Sequence, residues 1–338
     1  MKPSANTQIA AMIDAAREMF VLRPQRMIAQ WRGKLNDLSG TNFEMGNRFA
    51  AQGAMRDAAM RFRIAVKIDP NFTQAWYNLG VALMQLGDKE KAADAFRRAV
   101  TLDPRHEEAV YLLAAMNPSL LPRAQWPTRM PRLIVEKFFA ASAPYYNDME
   151  TQNRYAGPAL CEQKSLAHLS QKADLQILDL GCGTGLAARP WRGKAARITG
   201  VDMVEAMVRE ARAATIESKA VFDDVIVADL HAMQSIAIAP ASIDIILLCN
   251  VAQFVGDLNS VFRAAAGWLK PDGIMTLTVE PAVAGSAYGV NPATGKFGHS
   301  AAYLQDAAKA AGLSVALQER VNLYPDVAAG MVVMRKQI

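Results

Sequence analysis

The chain has 338 residues, of which 51% are hydrophobic and 20% charged, and this length predicts two domains with buried cores. No stretch is long and apolar enough to predict a transmembrane helix, so we expect no membrane attachment. The three cysteines, Cys161, Cys182 and Cys249, lack both CxxC spacing and a neighbouring histidine cluster. We therefore expect no metal site, unpaired thiols and a cytoplasmic location.

The net charge of +5 is concentrated in the first part of the chain. Residues 1–125 contain 17 Lys and Arg against 12 Asp and Glu, whereas the remainder contains 20 of each. This excess is compatible with an acidic partner for the first part of the chain and with ordinary solvated helix surfaces. The basic residues do not follow a nucleic-acid-binding pattern, so we expect no nucleic-acid partner.

The first 35 residues predict two helices, over Ala5–Leu22 and Gln25–Leu35. Apolar residues recur in the first of them at helical spacing, and the charges of Asp14 and Arg17 argue against a signal peptide or a membrane span. A third helix is predicted over Arg105–Met116. We expect these helices to cover the ends of the repeats that lie between them.

Residues 39–72 and 73–106 form an internal repeat of 34 residues. The diagnostic positions of the second copy are Trp76, Leu79, Gly80, Gly87, Ala92, Phe96, Ala99 and Pro104. Their counterparts in the first copy are Asn42, Met45, Gly46, Gly53, Ala58, Phe62, Ala65 and Pro70. The pattern resembles the tetratricopeptide repeat (TPR), which implies two antiparallel helices per copy. TPR modules bind peptides, self-associate or support a neighbouring domain, and the sequence leaves these roles open.

Four prolines between Pro118 and Pro131 end the predicted helical region. We place the domain boundary in this segment, which gives an all-α domain over residues 1–125. A linker region then covers residues 126–172, and a second domain covers residues 173–338.

The segment ILDLGCGTGL, residues 177–186, predicts a buried strand that turns sharply into a helix. Its three glycines are Gly181, Gly183 and Gly185. Glycine lets a ligand lie directly against the main chain, and a helix start offers free N–H groups. Dinucleotide-binding turns place their third glycine where Leu186 stands in this chain, which disfavours a nicotinamide-dependent oxidoreductase. The preceding acid, Asp179, suits a ligand with a positive amino group.

Four further apolar strands end at Asp202, Asp229, Asn250 and Glu280. Helical segments separate them, at residues 204–214 and 258–269, and this alternation predicts a parallel sheet covered on both faces. Ligands in such sheets bind at the carboxyl ends of the strands, where these polar residues stand. The last two apolar segments, SVALQERV and GMVVMRK, predict an antiparallel pair.

This pattern resembles the class I S-adenosylmethionine (SAM) methyltransferases over residues 173–338. The segments GKFGHSAAYLQDAAKAAGLSV and FFAASAPYYND resemble, more narrowly, the predicted bacterial methyltransferases that carry TPR repeats. The resemblance implies SAM as cofactor and an α/β Rossmann-like fold, with a seven-stranded, mostly parallel sheet behind the TPR-like domain. The residues that it assigns to SAM binding are Asp179, Gly181, Cys182, Gly183, Gly185, Asp202, Met203, Met207, Asp229, Leu230, Cys249, Asn250 and Tyr146.

The resemblance also implies individual roles for these residues. Asp179 would hold the amino group of SAM, directly or through water. Asp202 would hold the ribose hydroxyls and Asp229 the adenine amino group, while Met203 would pack on the adenine. The helices of residues 126–172 would cover the cofactor, with Tyr146 among their aromatic residues.

Catalytic residues are harder to predict, because SAM itself carries the activated methyl group. A general base is needed only when the acceptor atom is protonated. The candidates are His299, Tyr288, Gln253 and Glu280. We expect His299 to act as a base or to orient the substrate, because histidine titrates near neutral pH and residues 281–300 form an unusually long connection.

The sequence leaves the methyl acceptor open. The leading interpretation is transfer to an N, O or S atom of a small metabolite, and the segment CNVAQF lacks the NPPY-type sequence of enzymes that methylate DNA adenine or glutamine. A second interpretation is a peptide or protein acceptor presented by the TPR module, which could also bind a protein partner or a second copy of the chain. A third is an adaptor that binds SAM without turnover.

Overall fold

The computed structural model describes residues 37–283 and 285–337. It divides the chain into two compact units, one ending at Ala109 and the other beginning at Val110. The helices predicted over residues 5–22 and 25–35 lie outside the described residues. Within the described part of the chain, no helix has both the length and the apolar character that a membrane span requires.

The first unit consists of paired antiparallel helices. They are α1 (Leu38–Ala51), α2 (Met55–Ile68), α3 (Thr73–Gln85) and α4 (Lys89–Leu102). Their bounds agree with the two repeats predicted at 39–72 and 73–106. Small residues let the helices of a pair approach closely, since a Cβ at Gly46 would lie 2.5 Å from the Phe62 ring and one at Gly80 would lie 2.6 Å from the Phe96 ring.

The two units divide earlier than the predicted boundary near residue 125. The division lies within α5 (Glu107–Met116), and the remainder of this helix belongs to the second unit. There the Tyr111 hydroxyl donates a hydrogen bond to the carbonyl of Gly295, and its ring lies 6.0 Å from that of Phe297. The prolines of residues 118–131 come after the end of this helix, and Tyr111 already packs within the second unit.

Six helices of the second unit follow α5. They are α6 (Arg132–Ser142), α7 (Tyr146–Gln152), α8 (Gly157–Leu166), α9 (Glu205–Ala213), α10 (Asn259–Trp268) and α11 (Ala301–Ala310). The first three occupy the predicted linker region, and the other three alternate with strands.

The strands form one large sheet and one small hairpin. In chain order they are β1 (Leu175–Leu180), β2 (Ala195–Asp202), β3 (Thr215–Ile216), β4 (Lys219–Ala220), β5 (Asp224–Val227), β6 (Ile243–Leu248), β7 (Leu269–Pro281), β8 (Tyr288–Asn291), β9 (Lys296–His299), β10 (Leu313–Tyr324) and β11 (Val327–Lys336). The main path of the sheet runs β10-β11-β7-β6-β1-β2-β5, while β3 and β4 pair only with each other. The five neighbouring strands β7, β6, β1, β2 and β5 run parallel to one another. Strand β11 is antiparallel to both of its neighbours, β7 and β10. The predicted seven-stranded, mostly parallel sheet is confirmed.

Residues 281–300 differ from the expected long loop. They form the hairpin β8–β9, whose second strand pairs with the end of β7 at Glu280 and Pro281. A Cβ at position 298 would overlap the Pro281 carbonyl oxygen, so the close pairing requires Gly298. The buried Phe297 anchors the hairpin in the second unit.

Side-chain alternation covers both faces of the sheet with apolar residues. In β1, Leu178 and Leu180 pack in a cluster on one face, while Ile177 belongs to a cluster on the other. Burial on both faces is typical of parallel strands, which therefore contain nearly continuous apolar runs. Polar residues lie instead at the ends of the strands, where they form the site described below.

Replacement of Gly80 by alanine tests the close packing of the repeat helices. The added methyl group would meet Phe96, which is fully buried, so the ring has no free space to move into. We expect Gly80→Ala to lower the free energy of unfolding by about 1–3 kcal/mol in urea denaturation followed by helical circular dichroism. Gly267→Ala is the control, because no atom lies within 4 Å of its Cβ position. Equal effects of the two substitutions would contradict this packing.

Candidate functional site

A cavity that is open to solvent lies at the carboxyl ends of the parallel strands of the second unit, where about 1000 Å³ of space, part of it open solvent, is free of protein atoms. Loops after β1, β2, β5 and β6 form its walls together with residues of the segment 129–155. The strand order changes direction at β1, whose neighbours are β2 and β6. Such a switch in strand order is where ligands bind in open α/β sheets.

The glycine loop after β1 has a left-handed backbone. Gly183 has φ of +52° and lines the cavity, and no atom lies within 4 Å of where its Cβ would stand. Gly185 has φ of +93°, and its Cβ position lies 2.8 Å from the Phe222 ring, so this glycine faces the core and does not line the cavity. Only the first of these two positions leaves main chain open to a ligand.

No α-helix follows the glycine loop, contrary to the prediction. The connection to β2 contains turns and one 3₁₀ turn, Arg189–Trp191. Pro190 lies inside that turn, and the fully buried Trp191 anchors it. Since β2 already begins at Ala195, the segment is too short for a full helix, and this loop lacks the expected N–H groups of a helix start.

Asp202, at the end of β2, holds the glycine loop in place. Its Oδ2 accepts a hydrogen bond from the Gly183 N–H at 2.9 Å, and its Oδ1 accepts one from the Val204 N–H at 2.8 Å. Burial raises the pKa of Asp202, and these backbone donors partly offset the increase. The carboxylate lines the cavity and retains lone pairs for further donors.

Asp179, in β1, is a buried acid behind the loop. It is 1% exposed, and its Oδ2 has no hydrogen-bond partner among the described residues. Burial, and secondarily the charge of Asp202, raise the pKa of Asp179 to about 7. Asp179 does not itself line the cavity, so it would hold an amino group there through water rather than directly.

Most residues assigned to the cofactor line this one cavity. They are Gly181, Cys182, Gly183, Asp202, Met203, Met207, Asp229, Leu230, Cys249, Asn250 and Tyr146. Asp179 and Gly185 are the exceptions. It remains a prediction that these residues contact a cofactor.

Several residues that line the cavity were not assigned to the cofactor from the sequence. They include Arg129, Met130, Arg132, Phe139, Tyr155, Thr184, His231, Val251 and Phe254. His231 directly follows Asp229, whose side chain accepts a hydrogen bond from the His231 N–H at 2.8 Å. A hydrogen bond from Thr184 Oγ1 to Asn147 Oδ1, at 2.5 Å, joins the glycine loop to α7. No local sequence pattern predicts this contact.

His299, the predicted base, does not line the cavity. Its side chain is 3% exposed, and its Nε2 lies 2.9 Å from the Val255 carbonyl oxygen and 3.1 Å from that of Gly256. Two carbonyl acceptors place the proton on Nε2. Burial lowers the pKa of His299 to about 4, although these hydrogen bonds act in the opposite direction. His299 therefore holds the turn after β6 and is not placed to accept a proton from a ligand.

The other three catalytic candidates are also held away from the cavity. Tyr288 packs against Tyr303 with ring centroids 5.1 Å apart. The Gln253 side chain donates to the Asn250 carbonyl at 3.3 Å. Glu280 accepts from the Thr294 hydroxyl at 2.9 Å and pairs with a lysine of the β8–β9 hairpin. These partners in the fold explain why none of the four reaches the site.

One wall of the cavity has a group of polar aromatic residues. The rings of Tyr155 and Tyr324 stack with centroids 5.0 Å apart, and the Asn250 side chain donates to the Tyr324 hydroxyl at 3.4 Å. Glu150 lies behind them, 5% exposed, and its Oε2 has no hydrogen-bond partner among the described residues. Burial, followed by the charge of Glu150, raises the pKa of both Tyr146 and Tyr324.

The described residues contain no group of three or more His, Cys, Asp or Glu side chains that could hold a metal ion.

Two of the acids at the strand ends, Asp202 and Asp229, instead accept hydrogen bonds from backbone N–H groups of the loops around them.

Both parts of the chain match known families. Residues 43–107 match the family described as tetratricopeptide repeat, and residues 178–277 match the one described as methyltransferase domain. The second match begins in β1 and ends in β7, so it contains the glycine loop and Asp202. The chain combines TPR repeats with a methyltransferase domain.

The methyltransferase domain has relatives among known enzymes. A ubiquinone biosynthesis O-methyltransferase from Albidiferax ferrireducens is 31% identical over 135 residues, which are 37% of this chain and 52% of that protein. A malonyl-[acyl-carrier protein] O-methyltransferase from Enterobacter lignolyticus is 27% identical over 140 residues, 41% of this chain and 51% of that protein. The chain thus spans about half the length of the curated relatives that it matches.

Among solved structures, the methyltransferase domain is similar to the [4+2]-cyclase SpnF, with a TM-score of 0.51. The two share 18% sequence identity, and the alignment covers 63% of this chain and 98% of that one. At this identity the likeness shows the fold alone. Because that protein is named a cyclase, the fold by itself does not decide the reaction.

The raised pKa of Asp179 predicts how stability changes with pH. Its folded-state value of about 7 lies above the 3.8 of an ordinary aspartate. Between those values the folded chain keeps a proton that the unfolded chain has lost, so the free energy of unfolding falls as pH rises through this window. We expect Asp179→Asn to be more stabilising at pH 8 than at pH 5, by roughly 2–3 kcal/mol in urea denaturation.

Asp223→Asn is the control for this measurement. Burial raises the pKa of Asp223, but its hydrogen bonds from Arg192 and the Ile198 N–H outweigh burial and leave that pKa below its usual value. Its carboxylate therefore stays ionised from pH 5 to pH 8, and the effect of the control should be the same at both. If the effect of Asp179→Asn were also the same at pH 5 and at pH 8, the raised pKa of Asp179 would be contradicted.

Proposed function

We propose that the methyltransferase domain transfers a methyl group from SAM to an oxygen atom of a small acceptor. The observation that carries this proposal is the cavity in which the open backbone at Gly183 and the carboxylate of Asp202 lie together at the switch in strand order. The match to a methyltransferase domain supports the reaction class, and the two relatives named as O-methyltransferases support oxygen as the acceptor atom.

The residues of the cavity fit SAM. The space where a Cβ would stand at Gly183 accommodates a ligand against the main chain, and Asp202 has lone pairs for ribose hydroxyls. Met203 and Met207 line the cavity and supply apolar surface for the adenine, and the unpartnered Oδ2 of Asp179, behind the loop, suits a positive amino group held through water. SAM supplies a methyl group already activated on a sulfonium.

The remaining wall fits a flat organic acceptor. Phe139 and Phe254 lie edge to face with centroids 5.3 Å apart, and both line the cavity with Tyr146 and Tyr155. Apolar pockets with a few polar groups are typical of small-molecule sites. Arg132 also lines the cavity and pairs with Glu136 at 2.6 Å; its side chain is 59% exposed, which places a positive charge at the mouth.

Glu150 provides a destination for the acceptor's proton. An acceptor hydroxyl loses its proton on methylation, so a base close to the site speeds the reaction. Tyr146 and Asn250 line the cavity, and Tyr146 and Tyr324 lie near the Glu150 carboxyl. The proton passes from the acceptor through a tyrosine hydroxyl to the Glu150 carboxyl group, while Asn250 positions the Tyr324 hydroxyl.

Asp202→Ala tests the cofactor site. The substitution removes both ribose acceptors and releases the Gly183 N–H, so we expect the Kd of S-adenosylhomocysteine to rise about 100-fold in isothermal titration. Asp224→Ala is the matched control: its exposed side chain lies at the other end of the parallel strands, 3.9 Å from Arg197. An unchanged Kd for Asp202→Ala would refute the site.

Glu150→Gln tests the acceptor chemistry. The full chain is incubated with methyl-labelled SAM and a cell extract separated into small-molecule and protein fractions. We expect label in small-molecule ethers or esters, a rate lower by about 10²–10⁴-fold in Glu150→Gln, and an unchanged Kd for S-adenosylhomocysteine. The variant's rate should rise with pH as hydroxide replaces the base.

Other distributions of label would point to the remaining functions. Label in proteins would favour a peptide or protein acceptor, for which the TPR repeats are a suitable binding module. Binding of S-adenosylhomocysteine without any transfer of label would favour an adaptor. Whichever acceptor is found, we also propose that the TPR helices bind a protein partner or a second copy of the chain.

A further inference from the structure

Two thiols meet at the wall of the cavity. Cys161, in α8, and Cys249, directly after β6, are free cysteines whose Sγ atoms lie 3.3 Å apart. A disulfide bond is about 2.05 Å long, so the sulfurs need to approach by about 1.3 Å to become bonded. Cys161 is fully buried, whereas Cys249 is 8% exposed and lines the cavity. One thiol is therefore open to a small molecule in the cavity, and the other lies directly behind it.

The neighbours of these sulfurs give them different roles. The Cys161 thiol donates its hydrogen to Cys249 Sγ, and the Tyr155 hydroxyl lies 3.1 Å from the same sulfur. The thiolate is the form of a cysteine that attacks a peroxide, and Cys249 is the one of these two thiols that lines the cavity. The hydrogen bond to Cys249, together with burial, raises the pKa of Cys161 well above its usual value, so Cys161 stays protonated. This division fits an attacking Cys249 and a resolving Cys161.

We propose that Cys249 and Cys161 are a modification site at which a small peroxide, entering through the ligand cavity, produces an intramolecular disulfide. This inference concerns the thiols alone and does not require methyl transfer. Only the expectations that involve S-adenosylhomocysteine rest on the proposed function.

The reaction has two steps. The Cys249 thiolate attacks one oxygen of the peroxide, so an S–O bond forms, the O–O bond breaks, and the leaving oxygen departs as water or an alcohol after protonation. The Cys161 sulfur then attacks Cys249, an S–S bond forms, and the S–O bond breaks. The departing hydroxide takes the proton of Cys161 and leaves as water. In total, two thiols lose two electrons and two protons to one peroxide.

Oxidation would disturb the wall that the thiols support. Disulfide formation shifts Cys249 Sγ, which lies 3.1 Å from the hydroxyl of Tyr155, and the Tyr155 ring is stacked on Tyr324. The next residue, Asn250, has a left-handed backbone with φ of +61°, and its N–H donates to the Thr278 hydroxyl at 2.7 Å. We expect the oxidised protein to bind S-adenosylhomocysteine about tenfold more weakly, as for the loss of one hydrogen bond at the wall.

The test treats the full chain with hydrogen peroxide, with and without saturating S-adenosylhomocysteine. Peptide mapping without reductant should show a Cys161–Cys249 linkage and a mass loss of about 2 Da, reversed by dithiothreitol. Cys161→Ser is the matched variant, because it leaves Cys249 without a resolving thiol. It should instead give a Cys249 sulfenic acid that dimedone traps. The ligand should slow oxidation of the wild type at least about fivefold by filling the cavity.

Three results would overturn the inference. They are oxidation of Cys249 in the wild type to sulfinic acid without linkage, oxidation confined to Cys182, and linkage at the same rate with the ligand bound. The wild-type peptide map decides the question even if Cys161→Ser does not fold. Should S-adenosylhomocysteine fail to bind before oxidation, the proposed function fails, whereas the disulfide map still tests the thiol pair.

Discussion

The hydrogen bond from the Gly183 N–H to the Asp202 carboxylate, 2.9 Å long, is the interaction on which the candidate site depends. It joins the loop after β1 to the end of β2, and the same carboxylate also accepts from Val204. Because neighbouring parallel strands end at the same edge of a sheet, one side chain can hold both loops. The open main chain at Gly183 keeps its position through this contact, and so does the cavity wall that it forms.

This arrangement places two acids close together in a poorly solvated region. Asp179 is buried and Asp202 is partly buried, and each has its pKa raised, first of all by desolvation. A protein selected for stability alone would avoid such a pair, since burying charge without a counter-charge is unfavourable. A positively charged ligand would relieve the penalty. The unfavourable electrostatics are therefore consistent with a binding site, and they agree with the cationic cofactor proposed for it.

The parts of the fold that repeat or alternate along the chain could be predicted from the sequence. The 34-residue period located four helices, and apolar runs ending in acids located the parallel strands. The residues proposed for catalysis could not be predicted in the same way. His299 looked available because its neighbours in sequence suggested a loop, but Gly298 allows the chain to pair against β7 and draws His299 towards the carbonyls of Val255 and Gly256. That pairing joins segments distant in sequence, and no local pattern reveals it.

Sequence alone determined the order of the elements, the TPR repeats, and the edge of the sheet proposed as the ligand site, because periodicity and glycine chemistry are local properties. Only the tertiary structure decided which side chains meet at that edge. It placed Glu150 behind Tyr146 and Tyr324, brought Cys161 within 3.3 Å of Cys249, and removed four expected catalytic residues from the cavity. The physical reason is that these contacts arise from the packing of α7, α8 and the β8–β9 hairpin against strands far away in the chain, and burial and hydrogen bonding there outweigh what each residue's own neighbours indicate.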